Sequence, residues 1–300
     1  MLPRARQLLT ADRLAALVLP APANPGLPLL LECGCGERAQ FERAHIPGAG
    51  YLDTGDVERP PHWTRIPDAE LLAVLLAQGI RHDSTVILYG RNNLAAARVA
   101  QLLLYAGVDD VRLLDGGFAA WLAAGLPCES GAPRAVSPAA ASAAAFGAIF
   151  PRHPEYLIDT AQARALLAQE DGILASIRTE AEHLGLTSGY NYITARGDIP
   201  GAHWARAGDN GDVNSMSACQ QANGAMKPAR EIEQLWRAAG ITRDHEVAFY
   251  CGTGWRASMA FFYAWLMDWP RISVYDGGWC EWSADPTNPI MPISSPFSRP

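Results

Sequence analysis

Residues 246–262 read EVAFYCGTGWRASMAFF, and this stretch predicts a cysteine at the junction of a buried strand and a helix. Residues 247–250 form a short apolar run with the length and composition of a strand buried on both faces. Cys251 ends that run. From 257 to 266 the apolar side chains recur at helical spacing, so a helix follows closely.

The loop between the strand and the helix is almost entirely backbone, because Gly252, Thr253 and Gly254 follow the cysteine. Loop N–H groups at the positive end of a helix bind anions and favour the thiolate form of a cysteine. Arg256, five residues after Cys251, adds a full positive charge. A buried structural cysteine is the plainer alternative, but the glycines and the arginine favour a reactive thiol.

Composition and charge restrict the class of protein. The chain has 300 residues, which suits one large domain or two of about 150. Its net charge of −7 argues against general attraction to nucleic acid or to anionic membranes. No apolar run reaches the roughly 20 residues that span a bilayer. We expect residues 1–23 to form a leading helix rather than a signal peptide, because polar residues interrupt them.

Six scattered cysteines are too few for a disulfide scaffold, so we expect a reducing, cytoplasmic compartment. Cys33 and Cys35 form a C-x-C pair, but no second ligand pair follows at metal-binding spacing. We therefore expect no metal site.

The chain contains an internal repeat. Residues 86–118 align with 247–279 at a constant offset of 161, and HIPGA at 45–49 has a counterpart, DIPGA, at 198–202. The offset for the second pair is 153, so copy two carries about eight extra residues between the motifs. One repeat of this length indicates two copies of a domain rather than a solenoid.

Each copy alternates strands with helices, which predicts an α/β fold with a parallel β-sheet flanked by helices on both faces. In copy one we expect strands at 29–31, 86–89 and 111–114, with helices at 69–78 and 94–105. In copy two we expect strands at 173–175, 247–250 and 272–275, with helices at 229–239 and 257–267. Ligands of such sheets bind beyond the carboxyl ends of the strands, where Cys251 lies.

The repeat predicts the domain boundaries and assigns the chemistry to copy two. We expect an N-terminal domain over 1–130, a linker rich in alanine and proline over 131–155, and a C-terminal catalytic domain over 156–300. Where copy two has Cys251, copy one has Gly90, and no other nucleophile follows it. The first domain is therefore expected to be catalytically silent.

Taken together, these motifs resemble those of the tandem-domain rhodanese family. The resemblance rests on IPGA in both halves, on the strand-cysteine-loop-helix, and on DGG-[FW]-x-x-W at 115–121 and 276–282, whose tryptophans we expect to pack in the core. It implies two rhodanese-like domains and a sulfurtransferase. Cys251 would take sulfane sulfur from a small anionic donor, become a persulfide, and pass the sulfur to cyanide or a thiol. No metal or organic cofactor is implied, and no nucleic acid or membrane partner.

The active loop combines features of two donor specificities. Gly252, Thr253 and Gly254 resemble the loop of 3-mercaptopyruvate sulfurtransferases, whereas Arg256 resembles the cationic loops of thiosulfate enzymes. The resemblance implies that these residues bind the donor and that Trp255 forms a wall of the site. Thiosulfate is a dianion and needs the greater positive charge.

Three further residues are candidates for donor binding by the same resemblance. His45 precedes the first IPGA motif, although an ordinary turn histidine is the alternative. Arg178 corresponds to the arginine of the family's L-D-x-R strand end, but Ser176 replaces the aspartate, so we expect an unpaired arginine free to grip the donor. Arg196 precedes the second IPGA motif, with a solvated surface role as the alternative. These cations favour thiosulfate as the donor, with 3-mercaptopyruvate as its rival.

Two other functions remain open at this stage. Phosphatases of related fold also place a cysteine and an arginine on one loop, but with the spacing C-x5-R, one residue longer than the C-x4-R found here. A persulfide carrier that delivers sulfur to a partner protein would use the same chemistry and differ only in its acceptor.

Overall fold

The computed structural model describes residues 2–19, 28–133 and 142–291, and in these ranges the chain forms two similar α/β units. Each unit is built on a five-stranded sheet whose neighbouring strands are all parallel. This confirms the predicted fold class.

The strands of the first unit are β1 (Leu8–Leu9), β2 (Leu29–Gly34), β3 (Gly50–Asp53), β4 (Glu58–Arg59), β5 (Thr64–Arg65), β6 (Thr85–Tyr89) and β7 (Asp110–Leu114). The strands of the second are β8 (Leu157–Ile158), β9 (Gly172–Ser176), β10 (His203–Trp204), β11 (Glu246–Tyr250) and β12 (Ile272–Tyr275). The sheet orders are β1-β7-β6-β2-β3 and β8-β12-β11-β9-β10, while β4 and β5 form a separate antiparallel ribbon. The two orders are the same under the repeat, so the duplication extends to the topology.

The helices are α1 (Ala11–Val18), α2 (Arg38–Arg43), α3 (Asp68–Ala77), α4 (Asn93–Ala106), α5 (Gly117–Ala123), α6 (Ala143–Phe146), α7 (Thr160–Leu167), α8 (Glu180–His183), α9 (Ala229–Ala238), α10 (Trp255–Leu266) and α11 (Gly278–Ala284). No helix among the described residues is long and apolar enough to cross a membrane.

The helices cover both faces of each sheet. The inner faces, with α3, α4, α9 and α10, merge into one apolar core that runs through both units. The outer faces form two smaller cores, one under α1, α2 and α5 and the other under α7 and α11. Trp121 and Trp282 are buried in these outer cores, as expected for packing residues.

Helices α4 and α10, which are equivalent in the repeat, pack directly against each other. Every residue of α10 after Trp255 is buried, and so is every residue of α4 after Asn93. A helix that is apolar on all sides belongs inside a protein. The loop that carries Cys251 leads into one of these two helices, so it lies at the junction of the units.

The strands and helices predicted for the two copies are all present, with ends that differ by up to three residues. The sequence pattern missed the short edge strands of both sheets, β1, β3, β8 and β10. Three of these have only two residues, too few for alternation to be visible. The leading helix predicted over 1–23 is only partly confirmed, because Ala11–Val18 form α1 whereas Leu8–Leu9 form the edge strand β1, which pairs with β7. Residues 134–141 of the predicted linker lie outside the described residues. Residues 20–27 and 292–300, elsewhere in the chain, also lie outside them. The predicted domain boundaries stay a prediction.

Candidate active site

Cys251 follows β11, the central strand of the second sheet, and its side chain is 1% exposed. The N–H of Gly254 donates to its Sγ at 3.2 Å. The loop turns back within three residues and enters α10, so the thiol lies beside the free N–H groups of that helix end. This is the predicted arrangement of thiol, loop amides and helix.

Gly90 occupies the same position after β6, the central strand of the first sheet. A Cβ atom at Gly90 would lie 2.6 Å from the Asn92 carbonyl oxygen and 2.9 Å from that of Cys33. Both obstacles are backbone and cannot move aside cheaply. The silent loop is therefore too tight for any side chain, cysteine included.

The glycines of the active loop have separate structural reasons. A Cβ at Gly252 would lie 2.2 to 2.4 Å from ring and hydroxyl atoms of Tyr190, which covers the loop. Gly254 has a φ of +101°, in the left-handed region that other residues adopt at a cost. Position 252 is thus a glycine because Tyr190 leaves no room for a side chain there. A preference for one donor charge is not needed to explain it.

Arg256 is buried and paired with Glu182 of α8. Its Nη1 and Nη2 donate to the two carboxylate oxygens at 2.7 and 2.8 Å, and Nη2 also donates to the Tyr190 hydroxyl at 3.1 Å. Burial raises the pKa of Glu182, but the hydrogen bonds and charge of Arg256 outweigh it, so that the pKa falls to about 2. Arg256 therefore brings much less net charge to the loop than the sequence predicted. Its Nε has no hydrogen-bond partner among the residues that the structure describes.

Arg178 is fully buried, and the expectation that it is unpaired is wrong. Its Nη1 donates to the Gly197 carbonyl oxygen and, at 3.4 Å, to Asp198, while Nε lies 3.5 Å from Glu182. The guanidinium also lies over the ring of Trp279 at 4.8 Å. Asp198, supplied by the second IPGA motif, thus compensates for the aspartate that Ser176 replaces. The serine in turn donates to Asp198 at 2.8 Å.

His45 and Arg196 have local partners. His45 is buried in the first unit, where its ring stacks on Phe41 and its nitrogens contact the Phe41 carbonyl and Glu129 at 2.8 and 3.2 Å. These contacts fit the alternative of a structural turn histidine. Arg196 is exposed, and its Nη1 donates to the Leu186 carbonyl at 3.5 Å. Neither residue is among those that line the cavity at the active loop.

A cavity of about 310 Å³ opens above the active loop, between the two units. Thr253, Trp255 and Arg256 contribute to it, and Trp63, Tyr190, Tyr192 and Trp255 give it aromatic walls. The full lining is Cys35, Glu58, Trp63, Tyr190, Tyr192, Val213, Asn214, Thr253, Trp255 and Arg256. The cavity is therefore a joint product of the silent and the active halves.

Sequence reasoning missed most of this lining, because the residues come from distant loops. One signal was available. The extra residues of copy two lie after the second IPGA motif, in the segment that carries Val213 and Asn214. Cys35 belongs to the C-x-C pair, for which the sequence predicts no metal site, yet it is exposed and lines the cavity.

Glu58 enters the cavity from the first unit and is held from both sides. Trp255 Nε1 donates to its Oε1 at 2.7 Å, and Arg98 Nε donates to its Oε2 at 3.0 Å. Arg98 also pairs with Asp276 of the second unit. Burial raises the pKa of Glu58 to about 7, because the charge of Arg98 offsets only part of the loss of hydration.

The two DGG motifs tie the units together reciprocally. Asp115 of the first unit accepts a hydrogen bond from the N–H of Met226 at 2.8 Å, and Asp276 of the second accepts one from the N–H of Arg65 at 2.9 Å. Met226 and Arg65 are themselves equivalent, at the offset of 161. Each half thus caps a turn with a backbone group of the other.

A model of the rhodanese-like domain matches the chain twice, over residues 23–124 and 159–285. The chain belongs to the rhodanese family. This tandem rhodanese is 49% identical over 261 residues to the thiosulfate sulfurtransferase YnjE of Escherichia coli, a match that covers 87% of the chain and 59% of the relative. The crystal structure of YnjE superposes with a TM-score of 0.90, over 96% of this chain and 69% of that one.

Two further relatives differ in their described activity. A probable 3-mercaptopyruvate sulfurtransferase of Pseudomonas aeruginosa is 34% identical, over 95% of this chain and 97% of its own length. An anaerobic ergothioneine biosynthesis enzyme from Chlorobium limicola, solved with trimethyl histidine, superposes with a TM-score of 0.88 at 36% identity, over 96% of this chain and 71% of that one. The chain thus spans 59% of the length of the Escherichia coli relative but almost the whole of the Pseudomonas one.

Proposed function

We propose that this rhodanese is a sulfurtransferase that moves sulfane sulfur through a persulfide on Cys251. The observation that carries the proposal is the thiol itself. Its Sγ accepts the Gly254 N–H at 3.2 Å at the entry to α10, while the equivalent position of the other half has room only for glycine. The sulfurtransferase names of the Escherichia coli and Pseudomonas relatives support the same activity.

In the donor half-reaction, the Cys251 thiolate attacks the outer sulfur of the donor. A new S–S bond forms as the bond to the leaving group breaks, and the electron pair departs with sulfite or with the enolate of pyruvate. We expect the loop N–H groups and Arg256, whose Nε has no hydrogen-bond partner among the described residues, to stabilise the negative charge that develops there. Gly252, Thr253, Gly254 and Trp255 shape the space around the reacting sulfur.

The donor is thiosulfate in this proposal, with 3-mercaptopyruvate as the rival. The name of the relative at 49% identity supports thiosulfate. The charges of the two arginines do not favour thiosulfate, because Glu182 pairs with Arg256 and Asp198 pairs with Arg178. Acceptance of the sulfur by cyanide or a thiol, or by a partner protein in a carrier role, completes the cycle. The six unpaired cysteines favour a cytoplasmic location.

Mass spectrometry of the intact protein tests the proposal. Incubation with thiosulfate, and separately with 3-mercaptopyruvate, should add one sulfur atom to the wild type and none to Cys251→Ser. Subsequent cyanide should remove the adduct and yield thiocyanate. An adduct that persists in Cys251→Ser would refute the assignment of the nucleophile, and the ratio of kcat/KM for the two donors decides the donor.

A further inference from the structure

We propose that Glu58, supplied by the catalytically silent half, accepts the proton of a thiol that takes the sulfur from Cys251. This inference rests on the proposed persulfide chemistry and names its acceptor as an organic thiol. The first domain has no nucleophile at Gly90, but by this proposal it takes part in the reaction by supplying a base.

The position of Glu58 is the first argument. It lines the cavity above the active loop, and among the residues that line this cavity it has the only carboxylate. Its Oε1 is fixed 2.7 Å from the indole Nε1 of Trp255, the residue that begins α10. Each carboxylate oxygen has a second lone pair, so the group can still take up a proton while it holds Trp255 and Arg98.

The surrounding charges are the second argument. Arg98 of α4 faces Glu58 but is shared with Asp276, so one cation serves two carboxylates. Tyr192 is a further titratable side chain in the lining of the cavity, and burial raises its pKa to about 12, so it is neutral beside Glu58. Burial and the charge of Asp276 raise the pKa of Glu58 to about 7. A base with a pKa near neutrality is suited to proton transfer under physiological conditions.

The internal repeat supplies the third argument. Glu58 pairs with Arg65 in the β4–β5 ribbon, and Gln220 pairs with Met226 in the equivalent bridge of the second half. Gln220 therefore occupies the Glu58 position at the silent loop, where it lines a separate cavity with Asn92 and Asn93. The counterpart of Arg98 at the offset of 161 is Met259. At these equivalent positions an amide and a thioether thus replace the carboxylate and its cation.

The aromatic walls suit the organic part of a thiol acceptor. Trp63, Tyr190 and Tyr192 present apolar surface, and Arg256, the cation in the lining, is paired with Glu182. A neutral thiol enters such a site without the cost of bringing an anion beside Glu58. It must then lose its proton there to become a nucleophile.

The step balances without an oxidant or a reductant. The Glu58 carboxylate takes the proton of R–SH, and the resulting thiolate attacks the outer sulfur of the Cys251 persulfide. A bond forms between that sulfur and the acceptor, and the S–S bond to Cys251 breaks. The products are R–S–S⁻, the Cys251 thiolate and protonated Glu58, which returns its proton to water.

Single-turnover transfer from the preloaded enzyme tests this role. The Cys251 persulfide is formed with thiosulfate, excess donor is removed, and the enzyme is mixed with 2-mercaptoethanol or with cyanide, whose anion has no proton to lose. The readout is the rate of persulfide loss with 2-mercaptoethanol divided by the rate with cyanide. Glu58→Gln, which copies the amide that Gln220 places at the silent loop, should lower this ratio about 100-fold, the scale of general base catalysis. Glu58→Asp should restore part of it.

Trp255→Phe is the matched control, because it removes the indole N–H that Glu58 holds and keeps an aromatic ring. A purely positional Glu58 would act through Trp255, and Glu58→Gln would then slow both acceptors equally, as we expect Trp255→Phe to do. An unchanged ratio in Glu58→Gln would overturn the proposal. The rate with 2-mercaptoethanol should also rise through pH 7 in the wild type and lose that step in Glu58→Gln. Failure to load the wild-type persulfide would refute the proposed function instead.

Discussion

The ion pair between Glu182 and Arg256 makes a quantitative prediction about stability and pH. Glu182→Gln keeps the shape of the side chain but leaves the buried guanidinium without its counter-charge. The pKa of Glu182 falls from 4.5 to about 2 on folding, and its side chain is only 1% exposed, so solvent screening is small. A depression of that size corresponds to about 3 kcal/mol of stability at neutral pH. Removal of one partner of a buried pair typically costs about 3–5 kcal/mol, which agrees.

The sign of the pH dependence follows from the depressed pKa. The contribution of Glu182 is present above the pKa of the unfolded chain, 4.5, and is lost as the pH falls toward about 2. Urea unfolding of wild type and Glu182→Gln at pH 7 and at pH 3 measures it. The difference in unfolding free energy should be about 3 kcal/mol at pH 7 and should shrink by about 2 kcal/mol at pH 3. Other carboxylates cancel, since both proteins contain them. A difference that does not change with pH would refute this reasoning.

Three further predictions concern the loop. Cys251→Ser should abolish persulfide formation in the intact-mass assay, whereas Cys128→Ser, at an exposed position, should retain it; the opposite result would transfer the nucleophile's role elsewhere. Arg256→Ala should lower kcat/KM for thiosulfate by about 10- to 100-fold, from the loss of charge-assisted hydrogen bonds worth about 1.5–3 kcal/mol, and an unchanged value would remove Arg256 from donor binding. Gly252→Ala should displace Tyr190, because the new Cβ would lie 2.2 Å from its ring; activity should fall with thiosulfate and recover in part when Tyr190→Ala is added, whereas no loss in the single variant would show that Tyr190 moves freely.

The sequence predicts the parts of this site that are local in the chain. The strand at 247–250, Cys251 and the following helix form one continuous pattern, and the repeat locates the silent Gly90 by comparison alone. The sequence does not predict the partners of these residues, which lie far away in the chain. Glu182 lies 74 positions from Arg256, and Glu58 lies 197 positions from Trp255. Neither has a spacing or a motif that links it to the loop, because the contact is made only when sheets and helices have packed.

Arg178 illustrates how a local pattern misleads. Ser176 in place of an aspartate suggests a free cation, and the pattern of the strand end contains nothing to correct that. The compensating charge comes from Asp198, which the sequence presents only as the first residue of a turn motif. Buried arginines are rarely left without a counter-charge, and that general rule was the better guide here.

The reciprocal bonds from Met226 to Asp115 and from Arg65 to Asp276 have a consequence for how far the two halves depend on each other. Each half now completes the other, and the inner faces of both have become a single core. Deletion of either half would therefore expose the shared core of the other and leave one of its turns without a hydrogen-bond partner. A substitution at either shared turn changes a contact of both halves at once.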